Sequence, residues 1–140
     1  MSKPSRSMDP TETVLDPALA PRRLKQGLIP PDTGIYIRIE ESPWVGGAGS
    51  VFTLSSGGVY LIGREGADIP LQDDKVSRKH AEIGLYGPGG FVLRDLASTN
   101  GTRLNGKRIC EKAKLASGDL IQVGDTAIRF SAVENAIGIS

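Results

Sequence analysis

Hydrophobic and polar residues alternate with a period of two from Gly34 onward. Ile35, Ile37 and Ile39 alternate with polar or amphipathic neighbours. Successive side chains of a β-strand point to opposite faces, so this pattern predicts a half-buried strand. No window of the chain shows sustained helical spacing of apolar residues. Further short segments with strand character are predicted at 51–54, 59–63, 68–71, 80–86, 91–96, 102–104, 107–109, 120–123 and 126–132.

Turn-forming residues separate nearly all of these segments. Glycine, proline, asparagine, serine and aspartate cluster at 87–90, 105–106, 117–119 and 124–125. Asn105-Gly106 lies between two predicted strands and is a strong hairpin signal, so we interpret it as a turn without a binding role. Many short strands at close intervals favour an all-β fold, an antiparallel β-sandwich of about eleven short strands.

The first 32 residues differ from the rest of the chain. They contain six prolines among serine, threonine and charged residues. Proline lacks a backbone donor and fixes φ, so we expect neither a lasting helix nor a paired strand, and at most a short helical turn around residues 19–28. We therefore predict a disordered N-terminal tail (1–32), a folded domain (33–133) and a C-terminal tail (134–140).

Composition and charge exclude several classes of function. The formal net charge is +1, which gives no global attraction to nucleic acid or to a membrane, and neither is expected as a partner. Cys110 is the only cysteine and His80 the only histidine, so no disulfide, metal site or other cofactor is expected. The chain has neither a signal-peptide core nor the roughly 20 apolar residues of a membrane span, and we expect a cytoplasmic protein.

Enzyme motifs are missing from the sequence. Neither the G-x-S-x-G elbow nor the phosphate loop G-x-x-x-x-G-K-[ST] occurs. Ser77 and His80 can be imagined as a nucleophile and its base, but a spacing of three residues in a loop does not establish a triad. We expect a protein that is not an enzyme. A hydrolase that uses this pair and a nucleic-acid binder that uses the basic loops stay as alternatives.

Polar residues gather in three predicted loops. One begins at Gly63-Arg64, the second covers 75–80 and the third covers 98–102. Loops at one end of a sandwich can converge on a ligand. Guanidinium groups, hydroxyls and backbone amides with few carboxylates are complementary to a phosphate group.

The motif formed by these loops resembles that of the forkhead-associated (FHA) family, which is Gly-Arg, then Ser-x-x-His, then Asn-Gly. The resemblance covers about residues 34–132. It implies an FHA-like β-sandwich that binds phosphothreonine segments. It also implies six phosphopeptide-binding residues, namely Arg64, Ser77, Arg78, Thr99, Asn100 and Lys75.

The resemblance gives these residues different roles. Arg64, Ser77, Arg78 and Thr99 are expected to bind the phosphate, while Asn100 bonds the main chain of the ligand. Lys75 is expected as a further basic contact. The family's glycines and histidine shape the loops instead of touching ligand, which implies structural roles for Gly63, His80 and Gly101.

The expected function is phosphothreonine-dependent protein binding in Ser/Thr kinase signalling. Its expected partners are a phosphothreonine-containing protein or peptide and a Ser/Thr protein kinase. One alternative is an FHA domain that regulates a larger protein, such as a transcriptional regulator, a cyclase or a secretion component. Another is a small FHA inhibitor that is controlled by its own phosphorylated tail.

The tail contains two candidate phosphorylation sites, Thr11 and Thr13. Both lie beside acidic residues, and Asp16 follows Thr13 by three positions. The segment resembles the regulatory tail of small actinobacterial FHA proteins that inhibit metabolic enzymes, although Glu12 separates the two threonines here. A coil of roughly 20 residues between Thr13 and Ile35 spans about 25 Å, so such a tail can reach its own domain.

Overall fold

The computed structural model describes residues 20–24, 34–87 and 90–133. The tail predictions for 1–19, 25–32 and 134–140, with Thr11 and Thr13, lie outside these residues. The described residues form strands and no helix. The strands are β1 (Arg22–Arg23), β2 (Gly34–Glu41), β3 (Val51–Leu54), β4 (Val59–Gly63), β5 (Ile69–Pro70), β6 (Ala81–Leu85), β7 (Phe91–Asp95), β8 (Thr102–Leu104), β9 (Lys107–Arg108), β10 (Lys112–Lys114), β11 (Leu120–Val123) and β12 (Thr126–Val133).

These strands form two sheets that face each other. The larger sheet has the order β1-β3-β2-β12-β11-β8-β9, and the smaller one has the order β10-β7-β6-β4-β5. Alternate residues of each strand point inward, since β2 buries Ile37 and Ile39 and exposes Arg38. The predicted all-β sandwich is therefore confirmed, with twelve strands in the described residues against about eleven expected.

One apolar core fills the space between the sheets. Ile37 and Phe130 contribute from the larger sheet, and Tyr60 and Ile83 from the smaller, all with no accessible surface. Phe130 and Phe91 meet edge to face with ring centroids 5.7 Å apart. Each large side chain buried in this way stabilises the fold by roughly 1.5–3 kcal/mol. The core fixes the positions of the strands and therefore of the loops at their ends.

One strand pair departs from the expected antiparallel arrangement. β5 pairs with β4 in parallel, with Ile62 opposite Ile69 and Gly63 opposite Pro70. Because β5 runs in the same direction as β4, the loop of residues 64–68 first returns the chain along β4 before β5 begins. Pro70 lies at the sheet edge, where its missing N–H leaves no neighbouring acceptor unpaired.

The expectation that residues 1–32 contain no paired strand is wrong at β1. Arg22 and Arg23 pair with β3, and the adjoining Leu24 N–H donates to the Val51 carbonyl at 2.9 Å. The Arg23 guanidinium lies over the Phe52 ring at 5.8 Å, and its Nη2 donates to the Ser50 hydroxyl at 2.9 Å. The open edge of β3 supplies this pairing. Residues 20–24 therefore contain no helical turn, and the rest of the stretch 19–28, where at most such a turn was expected, lies outside the described residues.

A second short strand, β10, has no signal in the sequence. Its three residues are Lys-Ala-Lys, and lysine and alanine have low β-propensity. It exists because the edge of β7 offers backbone partners, with Ala113 opposite Leu93.

The hairpin prediction at Asn105-Gly106 is confirmed. Both residues have positive φ, 52° and 85°, as a two-residue hairpin turn of the mirror-image type requires. The Asn105 side chain does more than turn the chain. Its Oδ1 accepts from the Leu120 N–H at 2.9 Å and its Nδ2 donates to Asp119 Oδ1 at 3.0 Å, which fastens the hairpin to β11.

No helix that could span a membrane occurs among the described residues.

Candidate phosphopeptide-binding site

The strand pairings bring the three polar loops together at one end of the sandwich. Ile62 lies opposite Ala81, and Ala81 lies opposite Asp95. The end of β4, the start of β6 and the end of β7 are therefore neighbours. The first loop leaves β4 at Arg64, the second enters β6 at His80, and the third follows β7 through Thr99.

His80 is fully buried and joins the second loop to the third. Its Nδ1 accepts a hydrogen bond from the Ser77 N–H at 3.0 Å, and its Nε2 lies 2.8 Å from the Gly101 carbonyl oxygen. Because Nδ1 accepts, the proton must be on Nε2, which then donates to Gly101. The ring braces the loops from inside the protein and faces no solvent.

Gly63 lets the first and second loops approach closely. A Cβ atom at this position would lie 1.7 Å from the Arg78 carbonyl oxygen, a distance that no side chain tolerates. The next N–H, that of Arg64, donates to the Ser77 carbonyl at 3.1 Å. Arg64 and Ser77 are thereby held side by side at this end of the sandwich.

Arg64 has a buried hydrogen-bond donor at the same end of the sandwich. Its side chain is partly exposed, but Nε is buried and has no hydrogen-bond partner in the part of the chain that the structure describes. A buried polar group that lacks a partner costs free energy comparable to a lost hydrogen bond. The described residues offer this donor no acceptor.

Ser77 and Thr99 lie together beside Arg64. The Thr99 N–H donates to Ser77 Oγ at 3.1 Å. Ser77 Oγ is the acceptor in this bond, so its own proton remains free to donate outward. The contact also connects the second loop to the third over a separation of 22 residues.

Asn100 and Lys75 are linked to each other through the backbone. Asn100 Nδ2 donates to the Lys75 carbonyl at 2.8 Å, which leaves the other amide proton and the amide oxygen for a ligand. The Lys75 ammonium pairs with Asp125 at 3.2 Å, and both side chains are more than half exposed. A phosphate contact by Lys75 therefore has to compete with this ion pair.

Arg78 is the remaining predicted residue. Its backbone packs against Gly63, whereas its side chain is exposed and has no ion pair among the described residues. The structure thus brings Arg64, Ser77, Thr99 and Asn100 together, and it leaves the Arg78 side chain exposed beside them.

Two acidic residues that sequence reasoning missed support the loops. Asp95 accepts from the Thr102 hydroxyl at 2.7 Å, from the Ser98 hydroxyl and from the Ser98 N–H at 3.2 Å. Ser98 Oγ in turn accepts from the Gly101 N–H at 2.9 Å. Burial by itself raises the pKa of Asp95, but the bonds from Ser98 and Thr102 outweigh it and hold this pKa below its ordinary value. The spacing Asp-x-x-Ser is the only local signal of this arrangement.

Asp73 is the second supporting carboxylate, and it is 2% exposed. It accepts from the Lys75 N–H at 2.9 Å, from the Asp125 N–H at 2.7 Å and from the Thr126 hydroxyl at 2.8 Å. These bonds attach the second loop to the turn before β12. No local sequence pattern reveals a contact across 52 residues.

Similarity to known proteins identifies the family of this chain. The FHA domain model matches residues 60–124. The glycogen accumulation regulator GarA of Mycolicibacterium smegmatis is 40% identical over 83 residues, which is 59% of this chain and 51% of the relative. The chain thus spans about half the length of this curated relative.

Solved structures show the same fold. An FHA domain studied for its phosphothreonine-dependent interactions has a TM-score of 0.62 and 32% identity, over 74% of this chain and all of the other. EmbR of Mycobacterium tuberculosis in complex with a low-affinity phosphopeptide has a TM-score of 0.63 and 29% identity, over 74% of this chain and 25% of the other. The chain belongs to the FHA domain family.

Proposed function

We propose that the site formed by Arg64, Ser77 and Thr99 binds a phosphothreonine-containing protein segment. The buried Arg64 Nε, which has no acceptor among the described residues, carries this proposal. It lies at the strand end whose backbone bonds to Ser77, and Ser77 retains a free hydroxyl proton. Guanidinium and hydroxyl donors that converge from two loops match the oxygens of a dianionic phosphate.

The expected affinity is moderate. Hydrogen bonds to a charged group contribute roughly 1.5–3 kcal/mol each. Ordering the peptide and the exposed Arg78 side chain consumes part of that gain. We therefore expect a dissociation constant near the micromolar range, which corresponds to a binding free energy of about −8 kcal/mol.

The geometry of His80 favours binding over catalysis. A general base needs a free lone pair within reach of the nucleophile's proton. The His80 Nδ1 lone pair accepts the Ser77 N–H, and Nε2 faces the Gly101 carbonyl. Neither nitrogen is therefore in a position to accept a proton from Ser77 Oγ, which supports a non-enzymatic module.

Phosphorylation of the partner by a Ser/Thr kinase completes the proposal. Because kinases consume intracellular ATP, it includes a cytoplasmic location and a role in kinase signalling. The regulator named as a relative has the same domain in part of its length. Both a small regulator and a domain of a larger regulatory protein are compatible with the site.

Calorimetry with a phosphothreonine peptide selected from an oriented library tests the site. Arg64→Ala and Ser77→Ala should each abolish measurable binding, while far-UV circular dichroism and the melting temperature barely change. Arg103→Ala is the matched control, since Arg103 is an exposed arginine of β8 outside the three loops. Binding that survives both site substitutions refutes the assignment.

The same peptide tests the chemistry of recognition. Removal of the phosphate should eliminate most of the affinity. Phosphoserine should bind several-fold more weakly, because one buried methyl group contributes about 1 kcal/mol. Equal affinity for the unmodified peptide would make the domain an ordinary protein-interaction sandwich. Equal binding to a phosphate polymer such as DNA, with a steep salt dependence, would favour a nucleic-acid binder.

A further inference from the structure

We propose that Asp73 is a positioning residue that sets how tightly the site holds the main chain of a bound peptide. The proposal rests on the function proposed above and adds a residue that acts on the site without touching the ligand. Asp73 is 2% exposed, so it lies beneath the surface on which a ligand binds. It acts through the backbone of Lys75 and the side chain of Asn100.

Hydrogen bonds from two separate segments converge on the buried Asp73 carboxylate. Its Oδ2 accepts from the Asp125 N–H at 2.7 Å and from the Thr126 hydroxyl at 2.8 Å. Its Oδ1 accepts from the Lys75 N–H at 2.9 Å. Hydrogen bonds to an ionised group are roughly twice as strong as those between neutral groups. One carboxylate therefore ties the second loop to the start of β12.

The turn before β12 is shaped to receive this carboxylate. A Cβ atom at Gly124 would lie 2.8 Å from Asp73 Oδ2, and Gly124 has a φ of +59°. Both features favour glycine at this position. Thr126 is 1% exposed, so its hydroxyl needs a partner inside the protein, and Asp73 is that partner. Because the turn joins two strands of the larger sheet, it gives Asp73 a rigid point of attachment.

Lys75 transmits this position to Asn100. The Lys75 N–H is bonded to Asp73, and the Lys75 carbonyl accepts from Asn100 Nδ2 at 2.8 Å. Both groups belong to one residue, so a shift of Lys75 displaces the Asn100 side chain. Asn100 is exposed beside Thr99, and its remaining N–H and its amide oxygen match the C=O and N–H of a peptide group. Asp73 thereby aims the amide that meets the main chain of the ligand.

A different part of the same loop holds the phosphate donors. Ser77 is fixed by a bond from its N–H to His80 at 3.0 Å and by a bond from the Arg64 N–H to its carbonyl at 3.1 Å. Val76 separates Ser77 from Lys75, and its side chain is 1% exposed and packed in the core. Because this core residue fixes the chain between the two anchors, a displacement of Lys75 leaves Ser77 in place.

Asp73→Asn should release Lys75 selectively. An amide has one acceptor oxygen, which preserves the most bonds when it faces the two donors from Asp125 and Thr126. Its NH₂ group then faces the Lys75 N–H, donor against donor, and this bond is lost. The phosphopeptide affinity should fall about three- to tenfold, which corresponds to one hydrogen bond. The phosphate contacts should be retained.

A double-substitution cycle with Asn100 tests the proposal. Nuclear magnetic resonance titration, which extends to millimolar dissociation constants, measures binding of the phosphothreonine peptide used for calorimetry. Asp73→Asn should weaken binding in the wild-type background and have no further effect in Asn100→Ala. Asp119→Asn is the matched control, because Asp119 also accepts a loop N–H, that of Ala116 at 2.8 Å, but lies at the opposite end of β11. It should bind like the wild type.

Spectra of the ligand-free protein give a second readout. The side-chain amide resonances of Asn100 should move in Asp73→Asn, whereas the backbone amides of Arg64 and Ser77 should not. A residue that merely stabilised the fold would not produce this selective change. If Asp73→Asn does not fold, Thr126→Val removes one donor to Asp73 and should give the same pattern to a smaller degree.

An equal loss of affinity in the wild-type and Asn100→Ala backgrounds overturns the proposal, because Asp73 would then support the whole site. An unchanged affinity in Asp73→Asn, an equal loss in Asp119→Asn or unmoved Asn100 amide resonances overturn it as well. If the wild type does not bind the phosphopeptide, the proposed function fails. The ligand-free spectra then still decide whether Asp73 positions Asn100.

Discussion

The Arg78 carbonyl oxygen lies 1.7 Å from the point where a Cβ atom at Gly63 would stand. The contact is with backbone, so no side-chain rotation relieves it. The same approach places the Arg64 N–H within bonding distance of Ser77. The geometry of the proposed phosphate site therefore depends on glycine at position 63, which lacks a Cβ atom.

Gly63→Ala is predicted to destabilise the protein and to weaken phosphopeptide binding. The added methyl must push β4 away from the second loop, at a cost of about 1–3 kcal/mol. Urea denaturation measures the first effect and calorimetry the second. Gly90→Ala serves as the control, because its nearest neighbouring atom is 3.4 Å from the added carbon. Unchanged stability in Gly63→Ala contradicts the prediction.

His80→Ala is predicted to lower the free energy of unfolding by about 2 kcal/mol or more. The substitution leaves the Ser77 N–H and the Gly101 carbonyl without their partner, and it opens a cavity. Chemical denaturation followed by circular dichroism is the measurement. An enzyme that uses His80 as a base would instead lose turnover and remain as stable as the wild type.

Stability should decrease at low pH in a way that depends on Asp95. The folded state holds the pKa of Asp95 below its ordinary value of 3.8. The ionised carboxylate therefore stabilises the fold above pH 3.8, and this contribution is lost as the pH falls through the lower folded pKa. Denaturation from pH 6 to pH 2 should give a shallower decrease for Asp95→Asn, which starts from lower stability.

Glu40 provides the control for that experiment. Its pKa is also lowered, chiefly by the hydrogen bond from Arg129, but it lies on β2, away from the loops. Glu40→Gln should likewise make the decrease in stability between pH 6 and pH 2 shallower, without changing the phosphopeptide affinity. Identical pH profiles for wild type and Asp95→Asn would show that the carboxylate contributes nothing.

Asp125→Asn is predicted to raise phosphopeptide affinity by about two- to fivefold. The substitution releases the Lys75 ammonium from its ion pair and removes a negative charge near the ligand. The backbone bond from residue 125 to Asp73 does not involve the changed side chain. The double variant Lys75→Ala/Asp125→Asn should show no gain. An affinity that falls in Asp125→Asn would mean that the ion pair positions the loop.

Phosphorylation of Thr13 is predicted to place the tail in the Arg64 site. Because β1 is fixed to β3, the tether consists of the eight residues 14–21, not the longer stretch that ends at Ile35. Fully extended, this tether and its two ends reach about 30 Å. Tethering raises the effective concentration toward millimolar, so even a weak site would be occupied.

Nuclear magnetic resonance of the phosphorylated chain tests this prediction. The amides of Arg64, Ser77 and Asn100 should shift, and an added phosphopeptide should bind more weakly. Thr13→Ala treated with the same kinase should show neither effect. Amides that do not shift in the Thr13-phosphorylated chain make the tail a simple linker.

The sequence by itself predicted the fold class and the loops that carry the polar residues. Alternation in residues 35–39 and turn residues such as Asn105-Gly106 are local signals, because the side-chain period and positive φ depend on near neighbours. The three short motifs also marked the candidate residues, since their spacing resembles that of a known family.

Only the tertiary structure decided which residues meet. The Asp73 bond to residue 125 crosses 52 positions, and β1 forms on the open edge of β3. Local patterns specify the face that a side chain occupies, but not the strand that lies beside it. Strand neighbours are selected by burial of one common core, which is a property of the whole chain.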